Sequence, residues 1–215
     1  MKRTIRVTGK GKISVKPDTI RLNIEAEGTY KEYILSVKKS TEHTNLLRDT
    51  MSKAGLDPKN LKTVHFGIDT DYERYRDKNG DYQRRFIGYT YTHNLYIQFP
   101  NDNEQLGKVL YQLANNEVNV EFSIRHTVKD VDDVKNELLG KAVEDSKTKA
   151  EVLAKAAGVS LGEIKTIDYS WGEIEIYSKP MDGMRLAAPI EEYDIDIEAD
   201  DIDVEDTVSI VWEIK

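Results

Sequence analysis

Ala54-Gly55-Leu56-Asp57-Pro58-Lys59-Asn60-Leu61-Lys62-Thr63 returns later in the chain as Ala157-Gly158-Val159-Ser160-Leu161-Gly162-Glu163-Ile164-Lys165-Thr166. In both copies a glycine stands where a helix ends with positive φ and an apolar residue follows it. Leu61 or Ile164 then opens an extended run after a four-residue turn. One helix-to-strand corner is therefore built twice. Nothing in it is chemically reactive, so it organises the fold and names no chemistry.

Upstream of the first corner, Ile34, Val37, Thr41, Thr44, Leu47 and Met51 recur at helical spacing, predicting a long helix over residues 30–54. Upstream of the second, Val134, Leu138, Ala142, Ser146, Ala150 and Leu153 predict a helix over 132–157, whose small side chains admit close approach to a neighbour. From Ile5 to Glu27 the alternation predicts two strands around Gly9-Lys10-Gly11, with Pro17-Asp18 marking a bulge, bend or strand start. Leu61 to Tyr75 and Phe86 to Phe99 flank Asn79-Gly80, whose two residues tolerate positive φ, and predict a hairpin long enough to project. Leu106, Val109, Leu110 and Leu113 define a short helix. Strands follow at 118–128, Ile164 to Tyr177, and Val204 to Ile214.

Residues 18–128 thus read β-α-β-β-α-β, the ferredoxin-like order. The expected class is α+β, with antiparallel or mixed sheets packed by two long helices and one short one. The β-α-β-β run that starts at 18 starts again at 118, a repeat too long for a solenoid. Either a half-domain is duplicated or one sheet continues across two halves. The chain is expected to form one domain over 1–215, with sub-lobes at about 1–128 and 129–215.

The 215 residues are 39% hydrophobic and 33% charged, a polar but globular composition with ample core. Apolar runs are only a few residues long, which excludes a transmembrane helix. Met1-Lys2-Arg3-Thr4-Ile5-Arg6-Val7 is followed by no apolar stretch of the kind a secretory leader carries. The chain as given reads as cytoplasmic, and as periplasmic or extracytoplasmic if a leader has been removed. Absence of cysteine excludes disulfides, thiolate nucleophiles and Cys-ligated zinc together. Net charge is −8, yet Glu191 to Asp206 holds ten Asp or Glu and no Lys or Arg, leaving the remainder at +2. Overall charge therefore predicts no general affinity for nucleic acid or an anionic membrane.

The opening Ile5-Arg6-Val7-Thr8-Gly9-Lys10-Gly11-Lys12-Ile13-Ser14-Val15-Lys16-Pro17-Asp18 resembles the V-x-G-x-G-x-[VI]-x-[VA]-x-P-D start of the SIMPL-domain family, which includes bacterial periplasmic immunogenic proteins. The resemblance continues through Leu61-Lys62-Thr63, Gly88-Tyr89-Thr90-Tyr91, and Glu137 to Asp145 leading into Ala156-Ala157-Gly158. It implies an α/β protein, usually exported and often oligomeric, loosely tied to stress tolerance or envelope assemblies, with no established enzymatic activity. It supplies no catalytic residues, and the chain departs from most relatives in its leader and in its acidic segment.

Gly9-Lys10-Gly11-Lys12 lacks the Gly-Lys-Ser/Thr ending and following helix of a phosphate loop, so a tight turn or bulge is expected there. His43, His65, His93 and His126 show no metal spacing. Strand parity turns His93 and His126 inward, as satisfied core histidines. No serine sits in a nucleophile-elbow setting. Asp194, Asp196, Glu198 and Asp200 alternate with Ile195, Ile197 and Ala199, which reads as a solvated acidic surface or edge before it reads as a calcium site. Tyr72, Arg74, Tyr75, Arg76, Lys78, Tyr82, Arg84 and Arg85 interleave bases with aromatics on the hairpin. They form the candidate partner contact, although Glu73, Asp77 and Asp81 dilute the field. The expectation is a non-enzymatic, self-assembling protein with no cofactor or metal, nucleic acid being a disfavoured partner. The alternative is a polyanion- or ligand-binding module using the same hairpin.

Overall fold

The computed structural model describes residues 3–169, 174–179 and 197–215. Its elements run β1 (Thr4–Val15), β2 (Thr19–Tyr30), α1 (Tyr33–Lys53), a 3-10 turn (Pro58–Asn60), β3 (Lys62–Arg76), β4 (Tyr82–Pro100), α2 (Asn103–Ala114), β5 (Val120–Thr127), α3 (Val131–Ala156), β6 (Leu161–Asp168) and β7 (Ile202–Ile214). The class is α+β, with two antiparallel sheets and three helices. The elements divide into two compact units: β2, α1, β3, β4, α2 and β5 in one, and β1, α3, β6 and β7 in the other.

The first unit has sheet order β3-β4-β2-β5. Each helix carries the chain past one intervening strand, which is the ferredoxin-like arrangement that the element order implies. Ile20, Leu22 and Ile24 of β2 and Leu95, Ile97 and Phe99 of β4 pack against Leu47 and Met51 of α1 and Leu106, Val109, Leu110 and Leu113 of α2. Each such side chain contributes about 1.5–3 kcal/mol by leaving water. The Asp102 carboxylate starts α2 by accepting the Glu104 and Gln105 N–H groups at 2.9 and 3.3 Å.

The N-terminal half of α1 departs from the apolar periodicity. Ser36, Ser40 and Thr44 are its buried residues, while Ile34 is 78% exposed. Tyr91 of β4 is fully buried, with its hydroxyl against His43 of α1. Ser36 Oγ donates to the Tyr89 carbonyl at 2.8 Å.

Both corners end their helices identically. Gly55 (φ 84°) and Gly158 (φ 71°) are left-handed; the Leu56 N–H donates to the Met51 carbonyl at 2.9 Å, and the Val159 N–H to the Ala154 carbonyl at 3.0 Å. Beyond the glycines the two copies diverge. In the first, Asp57-Pro58 makes a 3-10 turn before β3, whereas the second, lacking proline, enters β6 at Leu161. Each corner delivers the chain to the outermost strand of its own sheet, β3 in one unit and β6 in the other. β6 also stops earlier than the sequence suggests, at Asp168; beyond the undescribed 170–173, Tyr177 makes an isolated bridge to Thr127.

The second unit has order β1-β7-β6, with α3 packed on β1 and β7. Here the expectation of a turn at Gly9-Lys10-Gly11 is corrected, because both glycines lie inside one continuous strand paired with β7 from Thr4 to Val15. Their role is close approach. A Cβ on Gly9 would fall on the Ala142 carbonyl and 2.5 Å from the Ser146 nitrogen, and one on Gly11 would fall on the Leu138 carbonyl. The facing stripe of α3 is Leu138, Ala142, Ser146, Ala150 and Ala154, so Ala154 and not the expected Leu153 completes it. β1 is an edge strand, and α3 covers its free backbone. Asp145 accepts the Lys10 N–H at 2.6 Å, Ser146 Oγ donates to the Val7 carbonyl at 3.3 Å, and Lys149 Nζ donates to the Thr8 carbonyl at 3.5 Å.

Two glycine substitutions are expected to act with opposite sign in urea unfolding. Gly9→Ala forces backbone apart and should cost at least about 2 kcal/mol. Gly140→Ala, on the exposed face of α3 with nothing within 4 Å of the new methyl, should stabilise by about 1 kcal/mol.

Candidate functional site

β2 pairs with β4 only as far as Tyr30 opposite Tyr89, while β3 and β4 continue to Arg76 opposite Tyr82. Past that point the sheet is a two-stranded arm. A register shift between Asp71 and Tyr72 leaves Ile87 bulged at its root, and Gly88 is buried there against the Tyr30 carbonyl, which a Cβ would strike. The Asn79-Gly80 turn is present in a different form from the expected two-residue one. Gly80 alone has positive φ (89°), in a three-residue loop closed by the Asp77 N–H on the Asp81 carbonyl at 2.9 Å. Asp77 accounts for this, since its carboxylate accepts the Asn79 and Asp81 N–H groups at 2.9 and 3.0 Å. Those bonds hold its pKa below the ordinary carboxylate value.

Strand alternation sorts the arm's side chains. In register Tyr72 faces Phe86, Arg74 faces Arg84, and Arg76 faces Tyr82; these six share one face. Glu73 with Arg85 and Tyr75 with Gln83 occupy the other face, and Lys78 lies in the turn. Glu73 is ion-paired with Arg85, and Asp77 is committed to the turn. The acids that dilute the charge in sequence are therefore absent from the first face. There Arg76 lies over Tyr82 at 4.7 Å and donates to its hydroxyl at 2.8 Å, and Arg84 lies over Tyr72 at 5.0 Å. Among the described residues Arg74, Arg76 and Arg84 have no carboxylate partner. Phe86, outside the expected contact set, continues this face into the body through edge-to-face contacts with Tyr72 at 5.6 Å and Tyr89 at 5.3 Å.

Of the acidic residues singled out in the sequence, Asp194 and Asp196 lie outside the described residues, while Glu198 and Asp200 are exposed. Further along the run, Glu205 is bound by Lys10 and by Lys12 at 2.5 Å, and Asp203 accepts from Ser14 at 2.8 Å. These partners belong to β1. No sequence spacing announces them, because the register between β1 and β7 joins opposite ends of the chain.

The inward histidines lie where strand parity puts them. Thr44 gives its proton to the Ser40 carbonyl at 2.7 Å, so its oxygen accepts from His93 Nδ1–H at 3.1 Å; Thr63 then donates to His93 Nε2 at 2.9 Å. Tyr91, its pKa pushed up to about 12 chiefly by burial, donates to His43 Nδ1 at 2.5 Å. Both imidazoles are thus held neutral and bonded. Among the described residues no three His, Asp or Glu side chains converge as a metal ion requires.

The sequence that builds these elements, from the opening Gly-x-Gly strand to β7, is matched by a family model. The SIMPL model, described as a protein of unknown function (DUF541), covers residues 5–212, and the chain belongs to that family. It is similar to the 26 kDa periplasmic immunogenic proteins of Brucella melitensis biotype 1 and Brucella abortus strain S19. Each is 27% identical over 219 residues, spanning 98% of this chain and 84% of the relative.

Burial lowers the pKa of His93, with Arg48 adding to the effect, and burial likewise lowers those of His43 and His126. A histidine depressed in the folded state gives stability that is complete above its unfolded value, about 6.5, and is lost as pH falls through the folded value. Urea midpoints are expected to drop between about pH 7 and 5, a window above carboxylate titration. His93→Gln, which can still bridge the two threonines, should flatten that slope; an unchanged slope would remove His93 as a contributor.

Proposed function

We propose that this chain is a non-enzymatic scaffold that assembles with further copies of itself, in an extracytoplasmic compartment. The arm carries the reading. A two-stranded ribbon is marginal in water by itself, and this one exposes Tyr72, Tyr75, Tyr82 and Phe86, Tyr82 to 71%. β3 is in addition the outermost strand over its whole length, with Val64 and Phe66 exposed. Where α3 hydrogen-bonds the free backbone of β1, no side chain among the described residues does so for β3. Such an edge is a template for pairing with another chain. The periplasmic names of the relatives support the compartment.

The polyanion-binding alternative draws on the same arginines. Single-stranded nucleic acid needs open aromatic faces for its bases, and guanidinium groups lie over the rings of Tyr72 and Tyr82. Self-assembly is therefore the better reading.

Light scattering coupled to size-exclusion chromatography tests it. The wild-type mass is expected to be a multiple of 24.6 kDa. Replacing residues 72–86 with a short Asn-Gly turn is expected to reduce that mass. A wild-type chain that stays monomeric at high micromolar concentration would contradict the proposal.

A further inference from the structure

We infer that the Arg74, Arg76 and Arg84 face of the arm docks the acidic run of a second copy, through Glu198, Asp200 and Asp201. This rests on the self-assembly reading and specifies its contact.

Arg74 and Arg84 stand directly opposite one another in register, with Arg76 on the same face and no acid beside them. Like charges directly opposite across a strand pair are destabilising. Tyr82 and Tyr72 hold the Arg76 and Arg84 guanidinium groups over their rings, and Arg76 spends one N–H on the Tyr82 hydroxyl, which leaves further N–H donors on both for oxyanions. The face therefore has charge and donors in excess, and among the described residues of its own unit no carboxylate pairs with them.

The same chain carries a matching excess of the opposite sign. Glu205 and Asp203 are bonded to β1, and Asp206 accepts from the Thr207 N–H at 2.7 Å. Glu198, Asp200 and Asp201 are exposed, and among the described residues none has a cationic partner; Asp200 accepts only the neighbouring Asp201 N–H, at 2.9 Å. A second copy supplies what each set lacks. Arg74 and Arg76 are two residues apart on one strand face, as Glu198 and Asp200 are in sequence. Ile197, beside the run, packs on the core of the unit that bears the arm.

Charge reversal with complementation decides the matter. Arg74→Glu/Arg84→Glu keeps like charges opposed in the arm while reversing their sign; the second variant is Glu198→Lys/Asp200→Lys/Asp201→Lys. All five positions are exposed, and urea midpoints should confirm that both variants fold. In sedimentation velocity each variant alone is expected to dissociate at concentrations at least about tenfold higher than wild type. An equimolar mixture should regain assembly, and added salt should weaken the wild-type assembly. Wild-type assembly with both variants unaffected overturns this contact and leaves self-assembly standing. Loss with the arginine variant alone, with no rescue on mixing, overturns the acidic run as occupant and points to some other anion. A monomeric wild-type chain overturns the contact and the self-assembly reading together.

Discussion

Gly9 and Gly11 let the backbone of β1 lie directly against the backbone of α3, and the unit built from β1, α3, β6 and β7 depends on that approach. Leu138, Ala142, Ser146, Ala150 and Ala154 present a narrow stripe, and any β-carbon at Gly9 would meet the Ala142 carbonyl. The contact also protects the strand: at this distance Asp145, Ser146 and Lys149 reach the unpaired backbone groups of the β1 edge. Val7, Val208, Ile210 and Trp212 then close an apolar cluster with Ala142 and Ala150. The unit is assembled from distant parts of the chain. β1 pairs with β7 from opposite termini, and the passage out and back is pinned where the Asp18 N–H donates to the Thr127 carbonyl at 3.2 Å and Asp18 accepts the Lys129 N–H at 2.8 Å.

The ferredoxin-like unit is governed by a different constraint, the unequal length of its strands. β3 and β4 outrun β2, and beyond Tyr89 no third strand among the described residues offers them a core. Within the arm, alternation takes a sequence of nearly balanced charge and separates it into a basic aromatic face and an ion-paired one. Glu73 and Arg85 cancel on one side, leaving Arg74, Arg76 and Arg84 together on the other. A chain with little net charge outside its acidic run thereby acquires a strongly polarised surface. The proposed association uses that surface.

Much of this architecture is legible in residue patterns. The two corners, the apolar stripe of α2, the ferredoxin-like order and the inward turn of His93 and His126 follow from period, parity and glycine placement. These are local properties, fixed by backbone stereochemistry within a few residues. The Gly-x-Gly strand is not legible in this way, because a glycine needed for close approach and one needed for a turn look alike until the facing element is known. Ile34 and Val37 fit the helical period but face outward, while Ser36, Ser40 and Thr44 take the buried positions. Phe86 escapes the candidate contact because the Ile87 bulge resets which side of the arm it shares.

The sequence by itself determined where the two long helices end, and that duplicated corners deliver the chain to a strand. It could not determine which sheet each strand joins. β1 precedes β2 yet pairs with β7, and the acids of the final strand find their lysines near the other terminus. Nor could it decide which charges share a face, since two residues adjacent in sequence point apart while two on different strands stand together. Those outcomes belong to register, and register is set by the packing of the whole sheet against its helix.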